Sequence, residues 1–346
     1  MINIKKLLRL TIALGVVITN AGALNATEIL GAGATFPYPL YSKMFDSYHK
    51  EFNVKVNYQA IGSGGGIRQL KSKTVDFGAS DAFMSDKSLK AAKKEILHVP
   101  ICLGAVSMVY NLPGSPQLKL TPEIVSGIFL GEIKNWNDKA IQAVNPKTQL
   151  PKMKIVSVHR SDGSGTTFIF SDYLSKISPT WAEKVGRGKS INWPSGLGSK
   201  GNAGVAGLVK QIPGSIGYVE LAYAHQNKMN VAALKNKSGL FITPSLDAIS
   251  DAANVIMPKD TRVSITNTDA KNGYAISGFT WVLVYKDQSY NRRNENQARA
   301  TRDLLGWMIS EGQRFAKPLL YAPLPDSVVK KAKKIISTLH FEGREL

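Results

Sequence analysis

Three stretches of this chain close a predicted strand with glycines and small hydroxyl residues, then turn helical. They are Gly31-Ala-Gly-Ala-Thr-Phe-Pro37, Ile61-Gly-Ser-Gly-Gly-Gly66 and Arg160-Ser-Asp-Gly-Ser-Gly-Thr-Thr167. A helix N-terminus carries unpaired N–H groups and the positive end of its dipole, so it attracts anions. Thr35 is placed to cap a helix opening at Phe36-Pro37, where proline costs no hydrogen bond. The Thr35 hydroxyl and the N–H groups of Thr35 and Phe36 can then face an anion. Ser63 offers the same, with Gly64 to Gly66 letting the backbone approach closely. Ser164, Gly165 and Thr166 supply two hydroxyls and several N–H donors. Arg160 adds a planar fork suited to two oxygens of an oxyanion, and Asp162 stands two residues on to hold that guanidinium. Together they describe a pocket for a tetrahedral oxyanion.

Asp81 sharpens the chemistry. A carboxylate beside an anion repels it unless the ligand brings a proton. Phosphate keeps an O–H near neutral pH and sulfate does not, so Asp81 can accept from the first and reject the second. A site built to receive a hydrogen bond discriminates by roughly 10⁴ or more against a ligand that cannot donate it. Each feature taken alone has a plainer explanation. Glycine-rich segments form turns, Arg160 with Asp162 is a surface ion pair, and Asp81 caps a helix. The joint pattern outweighs these.

The elements that must position these groups follow from periodicity. Val54, Val56 and Tyr58 alternate as a strand, Val75–Ala79 and Lys154–Val158 read as two more, and Ser215–Val219 as a fourth. Helices are predicted from Pro37, over Asn202–Gln211, Ala298–Ile309 and Asp326–Leu339. This alternation is α/β. Two long apolar runs, Ile96–Leu112 and Tyr274–Tyr285, suit a chain that crosses from one lobe to a second and returns. The expected division is 27–105 plus 280–346 for lobe one and 106–279 for lobe two. Lys235–Asn272 is polar and irregular and reads as surface.

Composition bounds the rest. At 346 residues, 43% hydrophobic and 20% charged, the chain is an ordinary globular protein with room for two domains. Lys5, Lys6 and Arg9 precede an apolar run, Leu10–Ile18, too short to span a bilayer, and Ala21-Gly22-Ala23 follows. Residues 1–26 therefore read as a cleaved secretory signal, whose removal takes the formal charge from +19 to +16. That surplus favours an anionic partner without choosing one. No basic helix interleaved with aromatics and no zinc-finger spacing points to nucleic acid. The single cysteine, Cys102, lies in an apolar run and reads as a buried, inert thiol.

The sequence resembles the periplasmic phosphate-binding protein family of the phosphate-specific ABC transporter. The resemblance rests on the first and third segments above, with Val56-Asn-Tyr-Gln-Ala-Ile-Gly-Ser63, Thr74-Val-Asp-Phe-Gly-Ala-Ser-Asp81, Gly196-Leu-Gly-Ser-Lys-Gly-Asn202, Ile216-Gly-Tyr-Val-Glu220 and Leu324-Pro-Asp-Ser-Val-Val329, in family order. It implies an α/β, two-lobed, type II-like periplasmic-binding-protein fold with the ligand between lobes joined by two crossing strands. It implies phosphate contacts from Thr35, Phe36 (backbone), Ser63, Asp81, Arg160, Ser164, Gly165 and Thr166, with Asp162 orienting Arg160. It further implies a monomer without cofactor or metal that delivers inorganic phosphate from the periplasm to an inner-membrane ABC permease. Gly64 stands where the family often has a second serine, and Ser161 where alanine is common.

Rival readings are weaker. Gly196–Gly201 matches G-x-G-x-x-G without a clear preceding strand. Gly186-Arg-Gly-Lys-Ser190 ends like a P-loop, but Glu183 occupies the first glycine position. A secreted phosphatase needs metal ligands or an activated nucleophile. The five histidines lack metal spacing, and His159 beside Arg160 reads as structural. A sulfate- or molybdate-binding protein is the nearer rival, and Asp81 argues against it. A surface adhesin or scavenger that has lost its transporter is the remaining one.

Overall fold

The central strands of this chain are buried on both faces, which requires helices on either side of a mixed sheet whose two outer groups are parallel. The computed structural model describes residues 27–291 and 293–346, so the expected signal segment lies outside the described residues. The strands are β1 (Glu28–Gly33), β2 (Lys55–Ala60), β3 (Phe77–Ser80), β4 (Ile96–Tyr110), β5 (Val156–Arg160), β6 (Leu197–Ser199), β7 (Ser215–Glu220) and β8 (Ser277–Tyr285). They hydrogen-bond in the order β2-β1-β3-β8-β4-β7-β5-β6, and Asn230–Val231 pairs with the end of β4 on the edge opposite β7. β1 runs parallel to β2 and β3, and β5 runs parallel to β6 and β7.

β4 joins these two parallel groups. Its first part, Ile96–Ala105, pairs antiparallel with β8, and its second part, Val106–Tyr110, pairs antiparallel with β7. Fourteen of its fifteen residues are buried, which explains the long apolar run in the sequence. The second run begins beside this switch. The Val106 N–H donates to the Ile276 carbonyl (2.8 Å), and the Tyr274 hydroxyl donates to the Val106 carbonyl (3.0 Å). β8 then pairs only with β3 and the first part of β4.

Four helices start where strands of the two groups end. α1 (Tyr38–Phe52) follows β1 and α2 (Ser63–Lys71) follows β2. α3 (Gly165–Ile177) follows β5 and α4 (Gly201–Gln211) follows β6. α1 buries Leu40, Tyr41, Met44, Phe45 and Tyr48, one face at helical spacing. In a doubly wound sheet this arrangement gathers helix N-termini at one edge, where ligands bind.

Two differences from the sequence reading have physical causes. The helix Pro122–Leu130 was not predicted: Ile124–Phe129 are all buried, so it shows no polar face and no amphipathic period. Lys235–Asn272 is not merely surface. It holds a strand, Phe241–Ile242, and a helix, Leu246–Ala252, and it buries Ile249, Met257 and Ile265. Its polar residues are partly consumed inside, since Ser264 and Thr266 both donate to the buried Asp172 carboxylate (2.6 Å each).

Candidate functional site

The three glycine–hydroxyl segments meet. The Gly64 N–H at the start of α2 donates to the Gly163 carbonyl ahead of α3 (2.7 Å), and a Cβ on Gly64 would lie 3.1 Å from the Gly163 Cα. Gly62, at φ +84, is the residue before α2, and a Cβ there would sit 2.4 Å from Asp162 Oδ2. A Cβ on Gly165 would lie 2.4 Å from both Asp81 Oδ2 and Ser63 Oγ. Real Cβ atoms do not come within 3.0 Å, so glycine is favoured at Gly62 and Gly165, whereas a side chain at position 64 needs the Gly163 backbone to give by only a few tenths of an ångström.

Thr35, Phe36, Ser63, Asp81, Arg160, Ser164, Gly165 and Thr166 are all buried. Their hydroxyls share a property that the sequence does not reveal. Thr35 Oγ1 accepts from the Asn202 N–H (3.2 Å) and side-chain amide (2.9 Å). Thr166 Oγ1 accepts from Arg160 Nη1 (3.2 Å) and Asn202 Nδ2 (3.1 Å). Ser164 Oγ accepts from the Thr167 N–H (2.9 Å), and Ser63 Oγ from the Asp81 N–H (3.2 Å). A hydroxyl whose oxygen already accepts keeps its one proton to give. Four hydroxyls are thereby set as donors, which is what an anion needs; Ser63 has Asp81 and an incoming anion as rival acceptors for its one proton.

Arg160 is arranged to the same end. Its Nε and Nη2 donate to Asp162 (2.7 and 2.6 Å), and Nη1 donates to Thr166. Of five guanidinium N–H groups, two remain for a ligand. Burial opposes charge on Asp162, but the Arg160 bonds and charge, with the Gly201 N–H (3.0 Å), hold its carboxyl below the usual range. The G-x-G-x-x-G segment thus places the α4 N-terminus on Asp162. The Arg160 N–H donates to the Tyr218 hydroxyl (3.0 Å), which also bonds Thr167 Oγ1 (2.6 Å).

Asp81 sits opposite. Burial raises its carboxyl from 3.8 to about 7; the Thr280 bond (2.8 Å), the Arg160 charge and Ser63 pull the other way. A β-bulge between Thr280 and Trp281, opposite Pro100, falls where Thr280 turns to Asp81.

Thr35 does not cap α1. The helix begins at Tyr38 with Pro37 at its cap position and no side-chain bond, because the Thr35 hydroxyl is committed to Asn202. His159 stacks on Trp193 (4.8 Å), as a structural residue does. Cys102 is fully buried. Sequence reasoning gave no role to Asn202, Tyr218, Glu220, Thr280 or Tyr321. The first three lie in stretches that carry the family resemblance, but only their contacts across the chain expose what they do. Among the described residues no group of His, Cys, Asp or Glu side chains could hold a metal ion, and no helix is long and apolar enough to cross a membrane.

A two-lobed α/β chain with a buried donor cluster between its parallel groups is a solute-binding protein by architecture. Residues 19–312 match the PBP superfamily domain. A phosphate-binding protein PstS of Xylella fastidiosa is 45% identical over 314 residues, covering 89% of this chain and 84% of the relative. One of Pasteurella multocida is 44% identical over 89% of both chains. Among solved structures, a high-affinity periplasmic phosphate-binding protein (PfluDING) bound with phosphate superposes with a TM-score of 0.73 at 21% identity, over 89% of this chain and 93% of that one. The chain belongs to the PstS phosphate-binding protein family.

Proposed function

We propose that this protein captures inorganic phosphate and hands it to an ABC import permease. The observation that carries the reading is the set of hydroxyls whose oxygens already accept, grouped with Arg160 and a proton-poised Asp81. Thr35, Ser63, Ser164 and Thr166 donate O–H bonds, Phe36 and Gly165 donate N–H bonds, and Arg160 donates its two remaining N–H groups. Asp81 accepts the phosphate proton. Each hydrogen bond to a charged group contributes about 1.5–3 kcal/mol.

Residues 27–105 with 280–346 form one lobe, and 106–279 form the other. The exchange of β4's partner from β8 to β7 between Ala105 and Val106 supports that division, and Ser277–Phe279 already pair with the first lobe's stretch of β4. Thr35, Phe36, Ser63 and Asp81 then belong to lobe one, and Arg160 and Ser164–Thr166 to lobe two. Phosphate favours closure by touching both. The protein works as a monomer in the periplasm after loss of residues 1–26, binds no nucleic acid and turns nothing over.

A second reading, capture of sulfate or molybdate, keeps every donor but leaves Asp81 facing an anion with no proton. Calorimetric titration of protein refolded free of anions is the test. Phosphate is expected to bind tightly and sulfate to compete weakly; sulfate competing as well as phosphate would overturn the assignment.

A further inference from the structure

Glu220 ends β7 with its side chain fully buried, beside the first glycine–hydroxyl segment. Its Oε2 accepts from the Ala222 N–H (2.8 Å) and lies 3.0 Å from the Tyr321 hydroxyl. That hydroxyl lies 2.7 Å from the Phe36 carbonyl. The Glu220 N–H donates to Asn202 Oδ1 (3.0 Å), so the residue also touches the amide that sets Thr35 and Thr166. A tyrosine hydroxyl has one proton. The Phe36 carbonyl has none, so it must receive the Tyr321 proton. The contact between Tyr321 and Glu220 then needs a proton from the glutamate.

We propose that Glu220 is a protonated, neutral acid whose Oε2–H donates to Tyr321, fixing the Phe36 peptide, and that it is a positioning residue for the anion site. The inference rests on the phosphate reading for its consequence but not for its proton count. Charge points the same way. Arg160 is already matched by Asp162, so an ionised Glu220 would add a second uncompensated carboxylate next to Asp81 and an incoming anion. The titratable groups facing it are Asp81, Tyr321, Cys102 and Tyr223, and ionisation can only make each negative. Burial pushes the Glu220 carboxyl well up, and the Asp81 charge adds to it, against the opposing Ala222 N–H bond. Its Oε1 has no hydrogen-bond partner, a cost far smaller for a neutral acid's carbonyl oxygen than for a carboxylate. Close packing holds the arrangement: a Cβ on Gly104 would lie 2.5 Å from the Phe36 ring and 3.2 Å from Glu220 Oε1. The Thr35 carbonyl is pinned by the Tyr223 hydroxyl (2.6 Å), so the two peptides flanking Phe36 each take one tyrosine.

Infrared spectroscopy of the ligand-free protein reads the proton directly. At about pH 8.5, above the Asp81 value of about 7, the wild type is expected to show the carbonyl stretch of a protonated carboxylic acid, and Glu220→Gln to lack it. Phosphate titration reads the positioning. Glu220→Gln, neutral and of the same shape, gives up the Ala222 N–H bond where its amide donates to Tyr321 and should lose about threefold, whereas Tyr321→Phe and Glu220→Ala should lose about tenfold or more, a step of about 1.4 kcal/mol for each tenfold. Absence of the band, or a Glu220→Gln variant as weak as Tyr321→Phe, would overturn the proposal. A wild type that shows the band yet ignores phosphate would instead sink the functional reading and leave the proton where it is.

Discussion

Replacing Asp81 with asparagine tests how the site tells one oxyanion from another. The Asp81 carboxyl moves from 3.8 to about 7 because it is buried, with Thr280 and Ser63 bonds and the Arg160 charge only partly offsetting that burial. At about 1.36 kcal/mol per pH unit, ionising it in this buried place costs about 4 kcal/mol more than in water, which sets an upper limit of roughly 10³ on the affinity a proton-free ligand can lose. The sign follows from the direction of the shift. Burial raises this carboxyl above its ordinary value near 4, so its contribution to the compact site is full below about 4 and is lost as pH rises through about 7. Sulfate brings no proton, so its binding should strengthen about tenfold per unit as pH falls from about 7 towards 4, then level off. Phosphate carries its own O–H over the same range, so selectivity should narrow as the medium becomes acidic. Asp81→Asn keeps the shape, offers a permanent amide donor and cannot ionise. Sulfate should bind this variant up to roughly 10³-fold better than wild type at about pH 8, and without a pH slope. Calorimetric titration with sulfate and phosphate at several pH values is the assay. A wild type whose sulfate affinity is flat, or an Asp81→Asn variant that still excludes sulfate, would refute the proton-reading role.

The remaining expectations concern the donors. Arg160→Ala removes the fork and leaves Asp162 unmatched in a buried place, so phosphate affinity should fall about a hundredfold or more; near-normal titration would remove the arginine from the site. Gly165→Ala forces a Cβ to within 2.4 Å of Asp81 Oδ2 and Ser63 Oγ, and an overpacking cost of about 1–3 kcal/mol predicts a loss of roughly ten- to a hundredfold, with unchanged affinity as the contrary result. Asn202→Ala frees Thr35 and Thr166 at once, so X-ray scattering with saturating phosphate should show less compaction than in wild type; identical profiles would mean that Asn202 does not help hold the lobes together. Cys102 should resist maleimide in the native protein and react after denaturation, and rapid native labelling would contradict its burial in β4.

Much of the frame was legible because local chemistry and tertiary role agree in it. The strand ends at Gly33, Ala60 and Arg160 follow alternating or apolar runs, and the glycines after two of them serve as breaks in any context. The β4 run was legible because burial on both faces leaves no polar residue to interrupt it. The helix Pro122–Leu130 was not, for the same reason turned around: full burial erases the period by which a helix is recognised. At the candidate site, residue types identified the donors, but not the direction of each hydroxyl proton. For Thr35 and Thr166 that direction comes from Asn202, which lies 167 positions from the first and 36 from the second. No local pattern encodes a bond over such separations. Thr35 shows the consequence: a threonine ahead of a helix predicts a cap, and a distant amide claims it instead.

The charge of the chain and the charge of the site are separate matters. The protein carries +19 overall, yet the buried cluster has no net positive charge, because Arg160 is spent on Asp162 and Asp81 adds a carboxylate. A cluster built on several bare cations would bind any small anion, since Coulomb attraction does not read protonation. In the proposed site, hydroxyl and N–H dipoles fixed in place by Asn202, Thr167 and the helix ends would bind through direction instead, and direction would let a single carboxylate veto a ligand without a proton. The surplus of surface lysines can then act only at a distance, drawing anions of every kind towards the cleft and leaving the choice among them to groups that salt scarcely screens.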